Sequence, residues 1–136
     1  MPKLSILNRH LWSNPSLSWK EDHLQMAIAE ALHKAELAGA KFTFAADQNG
    51  LRTSRKQAIK AKMSGMRAGE ADLRLYFGDG RLGMIELKTK RGSVSKTQKA
   101  RHKLLRSLGH DVRVIKADCP QDAVDQALAI LDEWIS

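Results

Sequence analysis

Gly69-Glu70-Ala71-Asp72-Leu73-Arg74-Leu75-Tyr76-Phe77-Gly78-Asp79-Gly80-Arg81-Leu82-Gly83-Met84-Ile85-Glu86-Leu87-Lys88-Thr89-Lys90 decides the fold. It reads as two strands, Ala71 to Phe77 and Leu82 to Lys90, joined by Gly78-Asp79-Gly80, a strong hairpin signal. Side chains alternate along a strand. In the first strand Leu73, Leu75 and Phe77 share one face, and Asp72, Arg74 and Tyr76 the other. In the second, Ile85 and Leu87 oppose Glu86, Lys88 and Lys90. A two-residue Asp79-Gly80 turn would pair Asp72 with Leu87, out of phase. A loop of Gly78, Asp79 and Gly80 pairs Phe77 with Arg81, and therefore Asp72 with Glu86. Directly opposed residues of an antiparallel pair point to the same face. Gly80 can supply the left-handed conformation that such a loop needs. The expectation is two carboxylates converging next to a lysine.

Charged groups on an otherwise apolar central strand are costly to bury unless paired or metal-bound. Two close carboxylates repel each other unless a cation sits between them. Mg²⁺ suits such a pair, because it prefers oxygen ligands and typically takes one or two carboxylates plus water and phosphate. An ion of this kind activates water and stabilises charge on a phosphodiester. Lys88 would orient the attacking water or stabilise transition-state charge. Glu86-Leu87-Lys88 is the only acid-x-Lys triplet in the chain. The plainer alternative is an ion pair on a surface hairpin, worth little.

Working outward, residues 1–17 have no period and read as an irregular amino-terminal arm carrying Trp12. Residues 18–136 read as a single domain, a size one chain of 136 residues can fill. Leu24, Ala27, Ile28, Ala31, Leu32, Ala35 and Ala38 recur at helical spacing. Ser18 and Glu21 fit a capping box before them. Lys41 to Ala46 alternates like a strand, and residues 53 to 63 look helical and strongly basic. Beyond the hairpin, Ser95 to Leu108 reads as a helix capped by Ser95 and ended by Gly109. Asp111 to Ile115 reads as a short strand, and Pro120 opens a last helix. The fold class is α/β with a mixed sheet flanked by helices.

Composition narrows the partners. The formal charge is +8, and it is concentrated. Gln48 to Gly69 holds Arg52, Arg55, Lys56, Lys60, Lys62 and Arg67 without an acid. Leu87 to His110 holds Lys88, Lys90, Arg91, Lys96, Lys99, Arg101, Lys103 and Arg106, again without an acid. Acid-free basic blocks are the footprint of phosphate binding. Lys60, Lys62, Arg67, Lys90, Arg91, Lys96 and Lys99 are the candidate nucleic-acid contacts. No apolar stretch approaches the roughly 20 residues of a membrane span, and the opening MPKLSILNRHLWSNPS lacks a signal peptide's apolar run. The lone Cys119 reads as a small buried hydrophobe. The five histidines offer no ligand spacing and read as surface or packing residues. Trp12, Trp19 and Trp134 read as core or dimer anchors rather than base-stacking platforms. A reducing cytoplasm is the expected setting.

Gly69-Glu70-Ala71-Asp72-Leu73, then Ile85-Glu86-Leu87-Lys88, then Gln98 early in the next helix, resembles the PD-(D/E)xK nuclease superfamily. The VRR-NUC family, in its small stand-alone form from phages and bacteria, is the nearest likeness, over about residues 19–130. The resemblance implies a restriction-endonuclease-like αβββαβ core and Mg²⁺- or Mn²⁺-dependent phosphodiester hydrolysis. It implies a structure-specific endonuclease acting on branched DNA such as Holliday junctions. It assigns catalytic roles to Glu21, Asp72, Glu86, Lys88 and Gln98, and metal ligation to Asp72, Glu86 and Leu87. Ala71 departs from the superfamily's frequent proline, a backbone-shaping position that binds no metal. Glu21 lies on the inward stripe of its helix. Glu30, nine residues on at about 100° per residue, lies on the opposite face. Capping and active-site roles are both open to Glu21. For Gln98, which could cap with Ser95, the resemblance favours the site. Flap or single-strand cleavage, or DNA binding without catalysis, are the rival readings. Paired nicks across a four-way junction would call for a two-fold homodimer. The arm with Leu11 and Trp12 would then either form its interface or pack on its own core.

Overall fold

The computed structural model describes residues 8–47 and 54–136. The expectations placed on residues 1–7 of the arm, on residue 53 and on Arg52 lie outside the described residues. The arm, expected to be irregular, contains a short 3₁₀ helix (Arg9–Leu11), and the element order after it is α1 (Glu21–Leu37), β1 (Phe42–Ala46), α2 (Arg55–Met63), β2 (Leu73–Phe77), β3 (Leu82–Thr89), α3 (Lys96–Ser107), β4 (Asp111–Ala117) and α4 (Pro120–Ile135). The strands form one mixed sheet in the order β1-β2-β3-β4. β1 with β2 and β2 with β3 are antiparallel, while β3 with β4 is parallel. A parallel pair needs a crossover, and α3 supplies it.

The hairpin takes the three-residue loop. The Phe77 N–H donates to the Arg81 carbonyl at 3.1 Å, and Gly80 has φ +84°. Leu73 faces Ile85 and Leu75 faces Gly83. Carried one residue further, that register sets Asp72 opposite Glu86. The expected phase is therefore the one found.

β3 is the central strand, covered on both faces, and is buried from Gly83 through Lys88. On one face α1 and α4 pack together over the sheet. Leu24, Ile28, Leu32, Leu73, Leu75, Ile85, Leu87, Ile115, Leu131 and Trp134 form the main core there. On the other face α3 covers a smaller cluster of Ala71, Met84, Leu105 and Val112. Glu86 and Lys88 project to this second face, by alternation from Ile85 and Leu87. Cys119 is buried, in accord with its reading as a small hydrophobe.

Two local expectations change and one open alternative is decided. Helix α1 begins at Glu21 with Lys20 as its cap residue. The Lys20 N–H donates to His23 Nδ1 at 3.0 Å. Ser18 lies outside the helix, so it does not cap it, and the Glu21 carboxylate is released for other contacts. Strand β4 continues past Ile115 to Ala117, because it pairs with all of Gly83 to Thr89. Lys116 interrupts the apolar run that the sequence shows, but pairing is made by backbone. Trp12 sits in the main core, with Leu11 packed against it, and the Trp12 carbonyl accepts from the Gln121 N–H at 3.1 Å. Of the two places open to this part of the arm, it takes its own core. Trp19 and Trp134 join it there.

Candidate active site

Two strands and two helices converge on the carboxyl-terminal half of β3. Asp72 stands one residue before β2, where the ladder with β3 has run out. Its carboxylate replaces the missing backbone acceptor: the Leu87 N–H donates to Asp72 Oδ2 at 2.7 Å. A carboxylate held by a backbone donor has little freedom to turn. The Asp72 carbonyl in turn accepts from the Asp47 N–H at 2.8 Å. Arg74 binds Asp47 at 2.9 Å and Glu70 at 3.5 Å, and Arg101 binds Glu70 at 3.1 Å. These half-buried pairs tie the segment bearing Asp72 to β1 on one side and to α3 on the other.

Glu86 is 1% exposed. Its Oε2 accepts from Gln98 Nε2 at 3.3 Å and lies 3.8 Å from Lys88 Nζ. Its Oε1 is buried without a hydrogen-bond partner. Burial, and then the neighbouring Asp72 carboxyl, raise the Glu86 pKa to about 9. Without a cation, this carboxyl therefore keeps its proton at neutral pH. Lys88 is 8% exposed, and its ammonium also lies 3.5 Å from Glu21 Oε1. The ammonium is shared between a buried and a half-exposed carboxylate.

Gln98 both caps its helix and reaches Glu86. Its Oε1 accepts from the Ser95 N–H at 2.9 Å and its own N–H donates to Ser95 Oγ at 3.1 Å, closing the capping box. The remaining amide nitrogen reaches Glu86. The main chain of Leu87 lies beside Asp72, while its side chain is in the main core.

The structure thus brings Glu21, Asp72, Glu86, Lys88 and Gln98 together. It also adds His102, one helical turn after Gln98 on α3. His102 is 1% exposed, and burial lowers its pKa, so the ring is neutral. Its Nε2 lies 3.4 Å from Glu86 Oε1. The sequence did carry a signal for it. Gln98 and His102 are spaced i, i+4, so a helix that aims one at Glu86 aims the other nearby.

The candidate phosphate contacts divide. Lys60 and Lys62 on α2, Arg67 after it, Arg91 before α3, and Lys96 and Lys99 on α3 are all exposed. Helix α2 carries no buried residue. Lys90 is exposed but paired with Asp118 at 3.6 Å. Within the second basic block, Arg101 is spent on Glu70, and Arg106 donates to the Val112 carbonyl at 2.6 Å. An acid-free stretch of chain is therefore not acid-free in space.

Among the described residues, no group of three or more His, Cys, Asp or Glu side chains is arranged to hold a metal ion. The donor set at the site is instead two carboxylates with a backbone beside them. No helix among those residues is long and apolar enough to cross a membrane.

No family model and no curated protein matches the sequence. Solved structures do match the fold, two VRR_NUC domains among them. One, described as a VRR_NUC domain protein, is 20% identical, with a TM-score of 0.60 over 88% of this chain and 90% of its own. The other, described as a VRR_NUC domain, is 18% identical, with a TM-score of 0.54 over 86% of this chain and 99% of its own. This chain has the VRR_NUC fold, a mixed four-stranded sheet flanked by helices.

Proposed function

We propose that this protein is a metal-dependent DNA endonuclease that hydrolyses phosphodiester bonds at Asp72, Glu86 and Lys88. The observation that carries the reading is one buried constellation on a VRR_NUC fold: two opposed carboxyls, with a lysine ammonium 3.8 Å from one of them. Holding these groups together inside a domain is unfavourable unless they have work to do. A strained or costly polar cluster is a functional-site signature.

The donor set fits Mg²⁺ or Mn²⁺. Two carboxylates and a backbone carbonyl are hard oxygen ligands, and few are needed when water and phosphate complete the shell. The cost of holding the buried Glu86 carboxyl beside that of Asp72 is what a cation would relieve. Asp72, Glu86 and the Leu87 carbonyl would hold it. When bound, such an ion supplies Lewis-acid stabilisation of phosphodiester charge and lowers the pKa of water.

The protein's own groups do the rest. Asp72, fixed by the Leu87 N–H, sets the position of the reacting phosphate. Glu86, which alone keeps its proton, would act as an ionised ligand when the site is occupied, its proton passing to solvent. Lys88, steadied by Glu21, directs its ammonium at the attacking water or at the developing charge. Gln98 holds Glu86 in place. The exposed lysines and arginines of α2, of α3 and of the segments beside them grip the DNA backbone, which positions the duplex without reading sequence.

The finer reading is a resolvase-like cutter of four-way junctions, working as a two-fold homodimer in the cytoplasm of a bacterial or phage-infected cell. One constellation per chain nicks one strand, so matched nicks need two copies. The test sets purified protein with Mg²⁺ or Mn²⁺ against a four-way junction, a flap, a plain duplex and a single strand. Preferential cutting of the junction is expected. Preference for the flap or the single strand would replace the substrate and keep the chemistry. No cutting of any substrate, with binding intact, would leave a DNA-binding module.

A further inference from the structure

His102 and Glu86 present a geometry that core packing does not explain. Each has a buried polar atom without a hydrogen-bond partner, His102 Nε2 and Glu86 Oε1, and these two atoms face each other at 3.4 Å. Buried polar groups are nearly always satisfied, and an exception calls for a reason. A leucine would fill the same interior position of α3 more cheaply, as Leu105 does three residues later. The other Glu86 oxygen is already engaged by Gln98, one helical turn before His102. The two side chains reach from the same helix face to the two oxygens of one carboxylate.

We propose that His102 is a positioning residue for Glu86. With Gln98 on Oε2 and His102 on Oε1, α3 holds the carboxylate in the orientation that meets Asp72. The inference rests on the reading of Asp72 and Glu86 as a divalent-cation site. Helix α3 is thus the second support of that site, in the way partners behind a metal ligand fix its orientation and raise its affinity. For this the imidazole must carry its proton on Nε2, because only an N–H can be offered to a carboxylate oxygen.

The experiment measures Mn²⁺ binding to the full chain without DNA, by the loss of the free-ion electron paramagnetic resonance signal. Wild type, His102→Leu and His102→Gln are compared at one pH, with far-ultraviolet circular dichroism as the control for folding. Leucine fills the space without a donor, whereas glutamine keeps an N–H near the Nε2 position. His102→Leu is expected to weaken Mn²⁺ binding by about tenfold, and His102→Gln to restore most of it. Equal affinity in wild type and His102→Leu would overturn the positioning role and leave the nuclease reading untouched. Equal loss in both variants would reduce His102 to packing and also overturn it. No Mn²⁺ binding by wild type would remove the cation site itself, a different and recognisable failure. Should His102→Leu not fold, the ring nitrogens of the wild-type histidine decide. A ¹⁵N spectrum of the Mg²⁺-loaded protein, in which Glu86 is ionised, is expected to place the proton on Nε2, and a proton on Nδ1 there would contradict the contact.

Discussion

Glu86 concentrates the energetics of the site in one side chain. Burial and the Asp72 carboxyl raise its pKa to about 9, against an ordinary value of 4.5. The unfolded chain therefore releases this proton near pH 4.5, and the folded chain keeps it to about pH 9. In between, the folded state binds more protons, so folding stability falls as pH rises. His102 works the other way, being neutral in the fold, but its unfolded form is half-titrated near pH 6.5 and has lost nearly all of its proton by about pH 7.5. From about pH 7.5 to 9 the Glu86 contribution stands clear of it. In chelator, the urea midpoint is expected to fall across that window, and Glu86→Gln is expected to flatten the trend. A wild-type midpoint that is constant or rising across it would mean that Glu86 is already ionised. The pairing of Asp72 with Glu86 was legible in strand alternation together with the three-residue loop, because that loop sets the two carboxyls on one face. His102 was missed, because its one signal, the i, i+4 spacing from Gln98, gains meaning only once the strand that α3 faces is known. The Ser18 cap failed for a related reason. Local pattern allows a cap at Ser18, but helix α1 starts at Glu21, whose carboxylate instead pairs with Lys88.

At the scale of elements, the site depends on a close approach between the segment entering β2 and the first turn of α3. Gly69 makes it possible. Its φ is +82°, and a Cβ there would lie 2.7 Å from the Thr97 carbonyl oxygen. Gly69→Ala is expected to cost about 1–3 kcal/mol for the strained backbone and to push away the turn that carries Gln98. Thermal melting and cleavage assayed together check it: cleavage should fall further than DNA binding does. An unchanged melting temperature would contradict the packing described. Helix α2 has the opposite character, since it buries nothing. Reversing Lys60 and Lys62 to Glu should leave the melting temperature in place and weaken DNA binding by about tenfold, read by fluorescence anisotropy. Undiminished binding would take α2 out of the interface. The element order was readable from period and turn chemistry. The ends of elements were not, as the extra residues of β4 show, because strand pairing is settled by the neighbour rather than by the strand.

The whole molecule is a basic domain with its buried charges at one end of a covered strand. Its charge of +8 implies that DNA affinity drops by orders of magnitude between low and moderate salt, through counterion release. A flat salt response in a binding titration would point to a partner other than nucleic acid. Leu11 and Trp12 are committed to their own core, so a homodimer would have to form through another surface. Mass in solution at micromolar protein, with and without junction DNA, tests that assembly. A strict monomer that still makes paired nicks would refute it. Basic composition could be read for its sign but not for its availability, since Lys90, Arg101 and Arg106 find partners only once the chain is folded. The central claim, that Asp72, Glu86 and Lys88 form one metal-dependent cleavage centre, is tested most directly by cleavage of a labelled four-way junction in Mg²⁺ or Mn²⁺. Wild type is compared with Asp72→Ala, Glu86→Ala and Lys88→Ala, with binding measured in parallel. Wild type should cut, chelator should stop it, and each variant should bind the DNA but not cleave it. Wild-type cleavage rates in any one variant would contradict the claim for that residue, and undiminished cutting in chelator would contradict the metal.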